Sequence, residues 1–367
     1  FLLGWSWQET FYRAMILLVV ASPCALVASV TPATLAAISN GARRGILFKG
    51  GIHLENLKYI KAIAFDKTGT LTTGIPEITN VLIKDGYSKE EVLTKTASIE
   101  RHSTHPLAKT IVNYAKNHGI QPFYEPENVE NIAGYGIKAF FGNEMWKIGK
   151  KEFVQNKSQD DLFSSAGERF EDEGKTVVYI QKADETIGVI ALKDNVRKET
   201  KDAIKRLKEK GIFTVMITGD NRQTAQTIKN ESSVDHFVAE CLPDKKVDEL
   251  KKLKKKFGQV AMVGDGVNDA PALAIADVGI SMGDGSGVAL DTADVVLMKN
   301  DLPRIADAVD LSERMNRIVK QNIIFSVSMI LLLILTNFLQ MIDLPLGVIG
   351  HEGSTILVIL NGLRLLR

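Results

Sequence analysis

Three stretches of this chain carry almost no charge. Ala14 to Ala42 and Gln321 to Ile342 have no charged side chain, and Leu344 to Leu363 has only His351 and Glu352. Each is long enough to cross a hydrocarbon layer of about 30 Å. Lipid offers no partner to a bare peptide group, so such segments must be helices that satisfy their own backbone. Three spanning helices around a soluble middle are therefore expected. Arg43, Arg44 and Lys49 follow the first stretch, Arg317 and Lys320 precede the second, and Arg364 and Arg367 end the third. Basic flanks mark the cytoplasmic side, which puts the middle in the cytoplasm and Asp343 in a tight outer turn. The first stretch is too long for a secretory h-region and is not read as a signal peptide. Phe1 to Trp7 starts abruptly and apolar, as the tail of an earlier helix would.

Composition narrows the function classes. A net charge of +1 over 367 residues argues against a nucleic-acid surface, and the lysine-rich run Lys245 to Lys256 reads as a solvated helix face. Cys24 and Cys241 fall in opposite environments, which argues against a disulfide, and Cys241 beside Leu242-Pro243 reads as structural.

In the middle, strand-like runs at Ile60–Phe65, Ile212–Ile217, Gln259–Val263, Val278–Ser281 and Val295–Met298 alternate with helical periods at Arg197–Lys210 and Asp244–Phe257. That alternation predicts a doubly wound α/β domain with ligands at the strand ends. From Thr73 to about Ile187 the chain is more polar, with Tyr135, Phe140, Phe141, Trp146 and scattered glycines, and reads as an inserted α+β domain.

The chemistry gathers at those strand ends. Asp66-Lys67-Thr68-Gly69-Thr70-Leu71-Thr72 follows the first buried run. A carboxylate there can attack a phosphoryl group, provided that a cation such as Lys67 or a metal ion quenches the gathering charge. Thr218-Gly219-Asp220-Asn221 follows another strand and offers a hydroxyl and turn amides to phosphoryl oxygens. Gly264-Asp265-Gly266-Val267-Asn268-Asp269 follows a third, placing Asp265 beside Asp66 for Mg²⁺, which prefers hard oxygen ligands. Asn268 and Asp269 can orient that shell, and Lys246, three residues after Pro243, can reach Asp66 as a fixed positive charge.

Two membrane motifs remain. Pro23 in Ser22-Pro23-Cys24 removes a backbone donor and is expected to free the carbonyl near Val19, beside a soft thiolate ligand. His351-Glu352-Gly353-Ser354-Thr355 places an imidazole, a carboxylate and a hydroxyl at membrane depth, where ionisable groups are costly and functional. Cys24, His351 and Glu352 are candidate ligands of a metal ion, with Ser22 and Thr355 as secondary donors.

Together, the Asp66–Thr72 run, Thr218-Gly219-Asp220, Pro243 with Lys246 and Gly264–Asp269 resemble the phosphorylation domain of P-type ATPases, within the haloacid dehalogenase-like superfamily. The resemblance implies that ATP phosphorylates Asp66, and that Asp66, the Thr68 carbonyl and Asp265 hold Mg²⁺. It implies that Thr218, Lys246, Asn268 and Asp269 support the phosphoryl group. Glu100, His105-Pro106 and Gly134-Tyr135-Gly136 match the nucleotide-binding domain of the heavy-metal branch, which implies roles in binding adenine and the phosphate chain. His102 and His118 have no such match. That branch usually has Asn after Ile-Gly, whereas this chain has Ile148-Gly149-Lys150, so Lys150 is a candidate phosphate contact.

The resemblance implies an α/β fold with a membrane helix over 1–42, a connecting segment and first part of the phosphorylation domain over 43–73, and a nucleotide-binding domain over 74–187. The second part of the phosphorylation domain takes 188–317, and two membrane helices take 318–367. Ser-Pro-Cys with His-Glu-Gly-Ser-Thr is similar to the subgroup linked with cobalt, iron(II) and zinc, and one thiolate with nitrogen and oxygen donors suits such borderline ions better than Cu⁺. The implied activity is ATP-driven export of a divalent metal across a bacterial or archaeal plasma membrane by a monomer. The family's actuator motif Thr-Gly-Glu is absent from the sequence, so an incomplete chain with poor turnover is expected. The main alternative is a membrane-tethered phosphatase of the same superfamily, against which the nucleotide motifs weigh.

Overall fold

The computed structural model describes residues 5–103, 105–120, 124–132, 134–154 and 162–367, so the first four residues of the abrupt apolar start lie outside it. The chain divides into two compact units: Phe1–Ala62, Leu253–Met262 and Ala270–Arg367 form one, and Ile63–Lys252 with Val263–Asp269 the other.

The first unit holds three candidate spans, Trp7–Arg43, Pro303–Phe338 and Leu344–Leu366. The first is broken into the helices Trp7–Val20, Cys24–Ala28 and Thr31–Arg43, with Pro23 just before Cys24. The expected free carbonyl at Val19 is not found, because its oxygen takes the Ser22 N–H at 3.3 Å. Losing the donor at Pro23 tightens the final turn rather than baring that group. The second span is continuous with a helix that starts at Pro303, so residue 318 is no boundary. The spans approach closely where side chains are small, as lipid-embedded helices must when no hydrophobic force separates helix from solvent. A methyl group at Gly362 would sit 3.1 Å from the Ala33 nitrogen, and one at Gly347 would sit 3.2 Å from Val20.

The larger sheet has seven strands, ordered Ile46–Phe48, Val295–Leu297, Val278–Met282, Val260–Gly264, Ala62–Asp66, Phe213–Ile217 and His236–Val238. Ala62–Asp66, Val260–Gly264 and Val278–Met282 are buried at every position, which is why they read as unbroken apolar runs. Phe213–Ile217 pairs in parallel with His236–Val238, and Val278–Met282 with Val295–Leu297. Ile46–Phe48 adds an antiparallel edge.

The second sheet is the insertion. Its six strands run Glu77–Ile83, Glu185–Lys193, Thr176–Lys182, Glu144–Gly149, Gly136–Phe141 and Glu127–Ile132, and every neighbouring pair is antiparallel. Side chains of the helices Lys89–Glu100 and Pro106–Asn117 pack on one face with Trp146, Ile148 and Ile180. Phe163 and Phe170 of the helix Leu162–Asp172 pack on the other with Tyr179 and Val189. The sheet continues to Lys193, beyond the expected boundary at 187. Covered on both faces, Glu185–Lys193 loses the alternation that marks a one-sided strand and cannot be told from a phosphorylation-domain strand by pattern.

Gly167 tests this packing. An alanine methyl there would fall 1.9 Å from the hydroxyl of Tyr179, whose side chain is 1% exposed. Helix propensity favours alanine by about 1 kcal/mol. Overpacking a filled core costs about 1–3 kcal/mol, so the clash should win. Gly167→Ala should lower the thermal unfolding midpoint, and an unchanged or raised midpoint would show that Tyr179 yields instead.

Candidate active site

The strand Ala62–Asp66 ends by delivering a buried carboxylate to the turn Lys67–Leu71. Gly69 takes φ +73°, and a side chain there would strike Asp265 Oδ2 at 1.9 Å. Glycine is thus required twice over, by backbone conformation and by the neighbouring carboxylate. Two groups outside the expected set hold this turn. Arg197 donates from Nη2 to the Gly69 carbonyl at 2.7 Å and from Nε to the Thr70 carbonyl at 3.1 Å. Asp194 accepts from the Thr72 hydroxyl at 2.6 Å and the Gly74 N–H at 3.1 Å. The available signal was a charged pair three apart just after an apolar strand, a pattern too common to single out.

Lys246 is the cation of the site. Its Nζ lies 2.5 Å from Asp66 Oδ1 and 2.6 Å from Asp269 Oδ1. Burial works against its charge, but the two carboxylates outweigh that and raise its pKa. Burial, then the Asp269 charge, lifts Asp66 to about 7 against the pull of Lys246. Burial and Asp269 likewise lift Asp265 to about 6. Asp269 spends its other oxygen on the Gly266 N–H at 3.0 Å. Lys67 is turned elsewhere, pairing with Asp220 at 2.7 Å and approaching Asp194 at 3.8 Å. The buried Thr218 hydroxyl accepts from the Asp220 N–H at 3.1 Å. Thr68 and Asn268 lie exposed at the rim.

Carboxylate oxygens of Asp66, Asp265 and Asp269 can lie within 4.8 Å of one another. Three acids with one buried lysine leave uncompensated negative charge, and the donors are all hard oxygen, which fits Mg²⁺. Both Asp269 oxygens are engaged by Lys246 and Gly266, which leaves Asp66 and Asp265 as the acids with an oxygen to give and Asp269 as the anchor of the lysine.

Glu100, His105, Gly134, Gly136 and Lys150 line a single cleft of about 550 Å³, a size usual for a small-molecule site. Burial lifts Glu100 to about 7. His105 caps the helix Pro106–Asn117 by accepting the Leu107 N–H on Nδ1 at 3.2 Å, which places the proton of the neutral ring on Nε2, and burial lowers its pKa. Gly134 takes φ +80°. Gly136 faces Gly149 across the sheet, where a methyl on either would fall 2.2 Å from a carbonyl oxygen of the opposite strand. The steric need at Gly149 was not foreseen. His102 lies 3.6 Å from Glu125, and His118, which caps the helix Pro106–Asn117, donates from Nδ1 to the Tyr114 carbonyl at 2.9 Å. Burial pushes the Cys241 thiol up, away from reactivity.

The membrane donors are less assembled than expected. Ser22 Oγ lies 3.0 Å from Cys24 Sγ, and His351 is buried. Glu352 is 61% exposed, with its Oε1 3.9 Å from His351 Nε2. The Thr355 hydroxyl donates to the His351 carbonyl at 3.2 Å. Among the described residues, Cys24, His351 and Glu352 do not form a metal-sized group.

Two outcomes test these assignments. Lys246→Met keeps the stem but leaves two buried carboxylates facing each other, so phosphorylation of Asp66 should fall at least about a hundredfold. Nucleotide binding at the Glu100 cleft should be unchanged. For Glu100, both folded and unfolded chains hold the proton below the ordinary 4.5, whereas between 4.5 and about 7 only the folded chain does. Stability from this group therefore declines as pH rises across that window and levels off above it. Glu100→Gln should gain on the wild type by on the order of 3 kcal/mol between pH 4.5 and 7.5 in denaturant titrations; a constant difference would refute the assignment.

The chain is similar to known proteins along its whole length. The family pattern of haloacid dehalogenase-like hydrolases matches residues 60–277. A zinc-transporting ATPase of Bacillus subtilis (strain 168) is 53% identical over 100% of this chain and 58% of its own length. A probable cadmium-transporting ATPase of Alkalihalophilus pseudofirmus is 41% identical over 99% of this chain and 51% of its own. The crystal structure of a zinc-transporting PIB-type ATPase in its E2·Pi state superposes with a TM-score of 0.83 at 38% identity, covering 100% of this chain and 60% of that one. The chain thus spans between half and three fifths of the length of these relatives. It is an integral membrane protein with its catalytic domains on the cytoplasmic side. It belongs to the haloacid dehalogenase-like hydrolases and, among them, to the heavy-metal branch of the P-type ATPases.

Proposed function

We propose that this chain carries the phosphorylation, nucleotide and ion-binding machinery of an ATP-driven exporter of divalent metal, with zinc as its substrate. The observation that carries the reading is the buried Asp66 carboxylate, held at 2.5 Å by Lys246 beside Asp265. Lys246 engages one Asp66 oxygen and leaves the other to attack the γ-phosphorus of ATP. A P–O bond to Asp66 forms as the bond to ADP breaks. Asp66, Asp265 and the Thr68 carbonyl would hold Mg²⁺, which would supply positive charge to the transferring group.

The remaining groups position. The Thr218 hydroxyl and the amides of the Asp220 turn receive phosphoryl oxygens, with Asn268 at the rim. Asp220 and Asp194 hold Lys67 beside them. Glu100 and His105 fix the base, the Gly134 and Gly136 backbone approaches the ligand, and Lys150 reaches toward its phosphates. Water then cleaves the acyl phosphate, restoring the carboxylate and releasing inorganic phosphate. That phosphatase-like half of the cycle does not need the cleft around Glu100, which favours a kinase-like first half over a simple phosphatase.

The metal is bound by Cys24 and His351, with Glu352, Ser22 and Thr355 joining as the helices shift. One thiolate with nitrogen and oxygen donors suits zinc, and the relatives are named for zinc and cadmium transport. Cobalt and ferrous iron form the second reading, favoured by the single thiolate in Ser22-Pro23-Cys24. All these groups lie on one chain, which supports action as a monomer.

Labelled ATP should leave an acid-stable, hydroxylamine-sensitive mark that Asp66→Asn removes. In the full-length protein, zinc should stimulate ATP hydrolysis more than cobalt or iron(II), and Cys24→Ala and His351→Ala should each abolish the stimulation. Stimulation that survives both changes would show that the metal binds elsewhere.

A further inference from the structure

A polar network lies buried where the three spans meet, and the transport reading above leaves it unused. Asn322 is 2% exposed. Its Nδ2 donates to the Ser29 carbonyl at 3.3 Å and the Val358 carbonyl at 3.1 Å, and its Oδ1 accepts from Asn361 Nδ2 at 2.8 Å. One turn along the same helix, Ser326 Oγ lies 3.1 Å from Ser29 Oγ, which also donates to the Ala25 carbonyl at 2.7 Å. Ser29 and Ser326 are fully buried.

The placement of this network has a meaning for the metal donors. Ser29 caps the short helix Cys24–Ala28, whose first residue is the thiol donor. Val358 lies seven residues after His351, on the same buried face of the third span. The short helix is flanked by breaks on both sides, so its own backbone bonds do little to set its position. Asn322 and Ser326 grip its C-terminal end through both the carbonyl and the hydroxyl of Ser29. The same amide grips the His351 helix through Val358 and Asn361.

We propose that Asn322, seconded by Ser326, is a positioning residue that sets the spacing between Cys24 and His351 and so tunes divalent-metal affinity. It touches no metal. It acts by making the short helix and the third span move as one piece, so a change at Asn322 alters the donor geometry without altering the donors. A nonpolar side chain would leave the Ser29 and Val358 carbonyls without these bonds in a lipid-facing bundle, where no water replaces them. This inference rests on the assignment of Cys24 and His351 as ligands.

The test uses cobalt(II) and the full-length protein in lipid vesicles. Thiolate-to-cobalt charge-transfer absorption reports Kd, with Cys24→Ala to exclude a signal from Cys241. Misplacing a ligand by about 1 Å is enough for changes of one to two orders of magnitude. Asn322→Leu should therefore raise the cobalt Kd about tenfold and shift the band. Asn322→Asp, which keeps the acceptor for Asn361 but loses both donated bonds, should do the same. Ser326→Ala should have a smaller effect, because Ser29 keeps its bond to Ala25. ATP affinity at the Glu100 cleft should stay within about twofold in every variant. A cobalt Kd and band unchanged in Asn322→Leu overturn the positioning role while leaving the ligand assignment intact. A parallel loss of ATP affinity shows a merely structural role and overturns it too. Wild type that gives no Cys24-dependent band overturns both this inference and the ligand assignment beneath it.

Discussion

The soluble part of this protein depends on one buried ion cluster, in which Lys246 stands between Asp66 and Asp269. Burying two carboxylates near each other is costly unless a cation lies between them, and among the described residues Lys246 touches both. The arrangement is deliberately incomplete as electrostatics. Asp265 adds a third acid, and burial holds Asp66 and Asp265 at about 7 and 6, well above ordinary carboxylates. Such a cluster has the negative charge to attract a divalent cation and keeps one Asp66 oxygen off the lysine, where a nucleophile can act. The strand ends bring these groups together because a doubly wound sheet directs its loops to one edge.

The membrane part obeys a different constraint, that of satisfying polar groups without water. Pro23 interrupts the first span, and the structure answers by tightening the turn at Val19 and by turning the Asn322 amide to the Ser29 carbonyl. Glycines at 347 and 362 let the helices come close enough for such bonds to form. The two halves therefore solve the same problem with different means. In the cytoplasmic domain a buried charge is met by a charge, and in the membrane a broken helix is met by an amide.

Much of this was legible from residue order. Charge-free stretches announced the spans, buried runs announced the central strands, and the motif residues at their ends include the acids and the lysine that the fold brings together around Asp66. Pattern failed where a local rule was shared by two environments. Glu185–Lys193 reads like a phosphorylation-domain strand because helices cover both of its faces. The edge strand Ile46–Phe48 is too short to carry a period at all. Arg197 and Asp194 were missed because their partners are backbone groups of the Asp66 turn more than a hundred residues away, and such pairs leave no local trace.

What the sequence by itself determined is which chemical groups exist and which secondary structure delivers them: a carboxylate after a buried strand, a thiol after a proline in lipid, an imidazole on an apolar helix. Only the tertiary structure decided which of them meet. It brought Lys246 to Asp66 and Asp269, and turned Lys67 away to Asp220. It gathered Glu100, His105 and Lys150 around one cleft, and it buried His351 while leaving its neighbour Glu352 exposed. The reason is physical: periodicity and propensity act over a few residues, whereas electrostatic pairing and close packing act over a few ångströms, and only the folded chain converts one distance into the other.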